Sequence, residues 1–166
     1  MKLWYVVYTH ANSETKAREH LLRQGFTAIL PTYKRWRHHA RKREVVERPL
    51  FPRYLFVALD MLEQRWRPIL STVGVCDVVR RGNAPAAMPS GLAEEIGERA
   101  ALGDFDRLSP LDGLRRGDAV RVVEGPFTDL IGRFIGIADR ERVFVLLDLL
   151  GRQVKTTLAQ AAVSPA

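Results

Sequence analysis

Cysteine is almost missing from this chain of 166 residues, which holds one, Cys76. A single thiol forms no internal disulfide and builds no cysteine-based zinc site. It lies in the apolar run "VGVCDVV", where a buried structural thiol is the expected role. The adjacent His38 and His39 are poorly spaced to ligate one metal, so neither a metal nor another cofactor is expected. No apolar stretch is long enough to span a bilayer. The opening "MKLWYVVYTH" is too short an apolar run for a signal peptide and has no small-residue cleavage site. A cytoplasmic protein without membrane contact is the expectation. There is no P-loop and no convincing nucleophile and base pair, which argues against an enzyme. Internal repeats and low-complexity tracts are also lacking.

What the chain has is positive charge. Its formal net charge is +7, with 46% apolar and 27% charged residues, a globular composition with a basic surface. Such a surface attracts phosphate backbones or acidic protein faces. The length allows one domain or two small ones.

The first hundred residues alternate strand and helix signals. Leu3 to Thr9 is aromatic and β-branched and reads as a strand. Asn12 and Ser13 offer an N-cap to a helix from about Glu14 to Gln24, with Gly25 suited to its C′ position. Phe26 to about Arg37 and Glu44 to Leu50 read as an antiparallel pair joined by a basic loop, "KRWRHHARKRE". Cations with Trp36 interleaved suit nucleic acid, and a solvated basic loop suits the same residues. In "RPLFPRYLFVALD", residues 48 to 60, the strand from Tyr54 to Leu59 is apolar on both faces. Leu55, Val57 and Leu59 are expected to face the core, and Tyr54 and Phe56 to face outward into a depression. Met61 to Leu70 reads as a short helix limited by Pro68. "VGVCDVVR" is a strand, Arg81-Gly82-Asn83 a turn, and Gly91 to Ala101 a helix.

The pattern then changes. Residues 102–114, "LGDFDRLSPLDGL", mix Gly, Pro, Asp and Ser without periodicity and read as a linker. Beyond it come short strands in "DAVRVVE", "IGRFIGIA", "RVFVLLDL" and "RQVKTTL", punctuated by glycines, which suggest a small antiparallel barrel. "RVFVLLDLLG" also carries leucines that propagate a helix, and is read as a strand. The expected fold is an α+β domain over 1–101, an antiparallel sheet flanked by helices. A linker and a small all-β domain over 115–166 follow.

"GDAVRVVEGPFTDLIGRFIGI" resembles the KOW motif, through Gly-Asp-x-Val-Arg-Val, then Gly-Pro-Phe, then Gly. "WYVVYT", "PLFPRYLFV" and "TVGVCDVVRRGNAPAAMP" resemble the NGN domain. NGN followed by an SH3-like KOW barrel is the architecture of NusG-type transcription elongation factors. "W-Y-x-x-Y", "E-H-L-x-R-Q" and "P-L-F-P-x-Y-L-F-V" bring the chain nearest to the RfaH-like antitermination paralogues. The tail "LLGRQVKTTL" looks intermediate between the two groups.

The resemblance implies a factor that docks on the β′ clamp helices of RNA polymerase, reaches towards the β gate loop and suppresses pausing. Tyr8, Tyr54 and Phe56 match positions lining the docking depression. Arg65 and Arg67, in "RWRP", occupy the region that approaches the β gate loop. His10, Lys16, His20, Arg23, Gln24 and Thr72 match the region facing the exposed non-template DNA strand. The KOW domain, with Phe127 in its Gly-Pro-Phe turn, would recruit ribosomal protein S10 or Rho. A monomer is expected. In RfaH-like members this second domain can rest as helices against the first and refold to a barrel on recruitment. The alternatives are a general NusG that supports Rho-dependent termination, and an RNA- or ribosome-binding KOW protein.

Overall fold

The computed structural model describes residues 1–109 and 111–166. The chain divides into two compact units. One comprises Met1–Lys34 and Val46–Asp106, the other Arg35–Val45 and Arg107–Ala166.

In chain order the first part gives β1 (Leu3–Thr9), α1 (Glu14–Arg23), β2 (Thr27–Ile29), β3 (Thr32–His39), β4 (Lys42–Pro49) and β5 (Tyr54–Leu59). It continues with α2 (Arg67–Leu70), β6 (Val75–Val78), β7 (Arg80–Arg81), β8 (Ala84–Pro85) and α3 (Leu92–Ala101). The main sheet of the first unit runs β2-β5-β1-β6, with every neighbouring pair antiparallel. Its two central strands are the two most apolar ones. Side chains alternate between the faces of a strand. Tyr5, Val7, Leu55, Val57 and Leu59 accordingly meet Ala17 and Leu21 of α1 in one buried cluster. Gly74, at φ +88°, lets the chain pass close to α1, where a Cβ would stand 3.2 Å from Ala17 Cβ.

The second face of that sheet is built of cross-strand rows. Ala58 pairs with Trp4 on one side and Thr27 on the other, Phe56 with Val6 and Ile29, and Tyr54 with Tyr8. α3 lies over the first two rows. Trp4 Nε1 donates to Glu94 Oε1 at 2.6 Å, and Gly97 leaves room for Ile29 Cδ1. Phe56 is therefore buried, 4% exposed, where an outward-facing side chain was expected. The third row is more open, with Tyr54 exposed where Ala58 and Phe56 are buried.

Other expectations changed in detail. The helix foreseen over Met61–Leu70 is confined to Arg67–Leu70. Ser13 makes no side-chain cap on α1. Glu14 is buried and accepts the backbone N–H of Arg53 at 2.9 Å. The basic stretch expected as a loop is mostly strand. β3 and β4 form a hairpin that turns at Ala40 and Arg41, with φ of 47° and 64°. Positive φ at both central residues is the hairpin geometry that matches strand twist.

The second unit takes in the tip of that hairpin. Trp36 Nε1 donates to Ser109 O at 3.1 Å, a His38 ring nitrogen bonds the Gly113 carbonyl, and Arg43 donates to the Asp112 carbonyl. The Arg43 guanidinium stacks 4.1 Å from the Trp36 ring centroid, so this indole is already engaged. The remainder is β9 (Ala119–Val122), β10 (Ile131–Ile137), β11 (Arg142–Leu149), β12 (Arg152–Ala159), a single 3-10 turn and β13 (Val163–Pro165). They form one antiparallel sheet in the order β12-β11-β10-β9-β13. Val120, Val122, Phe134, Val143, Val145, Leu147 and Val163 share its core. The all-β second domain is thus present, and Arg142–Leu149 is a strand, not the helix of an autoinhibited form. β13 had no counterpart in the sequence expectations.

Candidate functional site

The open third row of the first unit is aromatic. Tyr8 and Tyr54 are direct cross-strand partners, their ring centroids 5.3 Å apart and tilted by 45°. Tyr54 is 39% exposed and Tyr8 half-buried. Phe56, one row inward, is a floor residue whose ring meets exposed Phe51 at 5.9 Å. Of the three aromatics expected to line a depression, Tyr8 and Tyr54 do so and Phe56 is buried outside its lining.

Arg53 completes this corner, and sequence reasoning missed it. It adopts φ +70°, a conformation that costs a non-glycine residue about 1–3 kcal/mol. Its backbone N–H is taken by Glu14, its Nε donates to Thr9 O at 3.1 Å, and its guanidinium lies 4.4 Å from the Tyr8 ring centroid. The only signal for it in the sequence is its position between Pro52 and Tyr54. The tyrosines open onto a depression of about 510 Å³ bordered also by Asp77, Val79 and Arg80. Asp77 is held below the ordinary carboxylate range by its hydrogen bond with Arg80, then by the Val78 N–H. An apolar aromatic floor with a charged rim suits a docked helical surface, because ring faces supply area and hydroxyls stay wet.

A second group lies around the C-terminal half of α1. Gln24 Nε2 donates to Thr72 Oγ1 at 2.8 Å, and Thr72 Oγ1 donates to Pro68 O at 3.0 Å. Thr72 is buried, 6% exposed, so it positions Gln24 and does not face a ligand. Lys16, Arg23 and Gln24 are exposed and His20 is half-buried. His10 is exposed, and its Nδ1 lies 3.1 Å from Cys76 Sγ. Cys76 is half-buried beside a histidine, where a core thiol was expected.

Arg65 and Arg67 are both exposed, on the approach to α2 and at its first residue. Phe127 is half-buried and packs against the core of the second unit, with part of its surface outside. Among the described residues no cluster of three or more His, Cys, Asp or Glu could hold a metal ion, and no helix is long and apolar enough to cross a membrane.

A family model described as "Transcription termination factor nusG" matches residues 2–97. The protein from Thermus thermophilus called "Transcription termination/antitermination protein NusG" is 29% identical, over 93% of this chain and 94% of its own length. The Bacillus subtilis protein of the same name is 28% identical, over 95% and 94%. A solved structure described as "Domain interaction in Thermotoga maritima NusG" is 24% identical, with a TM-score of 0.49 and coverage of 99% and 97%. The family match takes in more than half of the chain, and the open aromatic corner and the face of α1 both fall inside it: this chain belongs to the NusG family of transcription termination factors.

Proposed function

We propose that this chain is a transcription elongation and antitermination factor that binds RNA polymerase at the β′ clamp helices through the Tyr8–Tyr54 corner. The observation that carries the reading is this tyrosine pair. It is an exposed aromatic pair at the end of the sheet face, lining a depression with a charged rim. A paired helical surface laid there would bury both rings and leave Arg53 and Arg80 at the edge. Arg65 and Arg67 would then approach the β gate loop. Lys16, His20, Arg23 and Gln24 would lie along the non-template strand of the upstream bubble, with His10 nearby. Cations supply salt-dependent affinity there, and Gln24, held by Thr72, supplies a base contact. Bridging the cleft restrains clamp opening and suppresses pausing without bond chemistry.

The second domain, over 115–166, recruits a partner, ribosomal protein S10 or Rho, around Phe127. Its all-β form favours a general NusG, active without prior refolding, over a member that waits in a helical state. The NusG names of the relatives support the same choice. Single-round transcription with core polymerase tests the function. The full chain should shorten pauses, and the Tyr54→Ala variant should not. Unchanged pausing with the wild-type chain rejects the reading. Rho-dependent termination stimulated by the full chain would mark the general NusG role.

A further inference from the structure

The outer face of the second unit carries a row of two cations with a leucine between them. Arg133 of β10 pairs with Leu146 of β11, and Leu146 pairs with Lys155 of β12. Direct cross-strand partners point to one face, so a leucine sits between two cations in a single row. With strands about 4.8 Å apart, the Cα atoms of Arg133 and Lys155 stand roughly 10 Å from each other. The ladder between β10 and β11 is irregular after Phe134, and Ile135 stands in that irregularity beside Leu146. A depression of about 510 Å³ opens here, with Leu146 and Ile135 within it and Arg116, Arg133 and Lys155 among its lining. No carboxylate belongs to that lining. Among the described residues no ion pair engages these three cations. The Arg133 guanidinium donates to the Gly117 carbonyl at 3.3 Å.

The geometry points to a docking site for an acidic protein segment that inserts an aliphatic side chain between Arg133 and Lys155. Charge complementarity selects the acid, and the leucine floor selects the anchor. A nucleic-acid strand would share the cations, but the aliphatic floor of Leu146 and Ile135 offers its bases neither a stacking ring nor a hydrogen-bond partner. Of the rings near this row, Phe134 is buried in the core and Phe144 has Lys155 Nζ 4.1 Å from its centroid, so neither is an open platform. The site is separate from Phe127, which packs against the core cluster from the turn before β10. It is also independent of the tyrosine corner.

Amide NMR of the full chain tests it with the synthetic peptide Asp-Asp-Leu-Leu-Asp-Asp as probe. Lys-Lys-Leu-Leu-Lys-Lys and a short oligouridine serve as controls. Shifts on adding the acidic peptide should gather at Arg133, Ile135, Leu146 and Lys155, and weaken with added salt. An Arg133→Glu, Lys155→Glu variant with a dispersed, wild-type-like spectrum should bind about tenfold more weakly. Leu146→Ala should also weaken binding while leaving the salt dependence in place. Stronger binding of oligouridine at the same residues would reassign the site to nucleic acid. Equal affinity in the charge-reversed variant, or no shifts at these residues, would overturn the proposal.

Discussion

The two faces of β5 are made of equally apolar residues and end in different surroundings. On one, Leu55, Val57 and Leu59 are fully buried. On the other, burial declines along the strand, from Ala58 and Phe56 at 4% exposure to Tyr54 at 39%. The difference arises from what lies above. Ala17 and Leu21 of α1 and Ile69 of α2 share a buried cluster with the first face, whereas α3 meets the second at Trp4 and Ile29. Burial of the covered rows contributes to folding. The uncovered row is aromatic, lies beside the positive-φ Arg53, and is the row that the proposed docking role uses.

Phe56→Ala should break the covered part of this face, lowering unfolding free energy by about 3–5 kcal/mol in urea. Tyr54→Ala, two residues away on the same face, should cost less than about 1 kcal/mol. Equal losses would erase the distinction between floor and open row. The second unit offers a parallel contrast between two glycines of β10. A Cβ at Gly132 would lie 2.7 Å from Leu147 Cδ2 and 2.8 Å from Leu146 O, while one at Gly136 meets nothing within 4 Å. Gly132→Ala should therefore destabilise by about 1–3 kcal/mol. Gly136→Ala should stay within about 0.5 kcal/mol by the same unfolding measurement.

Thr72→Val keeps the shape of a buried residue and removes its bonds to Gln24 and Pro68. It should cost about 1 kcal/mol and loosen Gln24, which side-chain amide NMR would detect. The smallest effect concerns pH. Asp77 titrates below its ordinary range because Arg80 holds its charged form. A carboxylate depressed in the folded state contributes stability above its unfolded pKa and loses it as pH falls through the folded value. Asp77→Asn should therefore flatten a small part of the acid limb of a pH–stability curve and leave neutral pH nearly unchanged.

The order of strands and helices was legible because the apolar periodicity is strong. Leu3–Thr9, Tyr54–Leu59 and α3 from Leu92 to Ala101 lie where their patterns place them. The β3–β4 pair was legible too, but not how far its strands run into the basic stretch, because Ala40 and Arg41 adopt positive φ without the glycine or asparagine that usually marks such a tight turn. Its basic residues are tolerated on strands that face solvent. β13 is three residues long and exists by pairing with β9, a contact distant in sequence. At the site, alternation put Tyr8 and Tyr54 on a shared face, and the register makes them partners. Alternation gave no account of α3, which buries Phe56. Nor did local pattern reveal Arg53, whose role depends on Glu14 and Thr9 from other elements.

The most direct test of the tyrosine corner is equilibrium binding of the full chain to core RNA polymerase, comparing wild type with a Tyr8→Ala, Tyr54→Ala double variant of matched melting temperature. Loss of two central aromatics should weaken binding by about 30-fold or more. Wild-type affinity in a folded double variant would contradict the account.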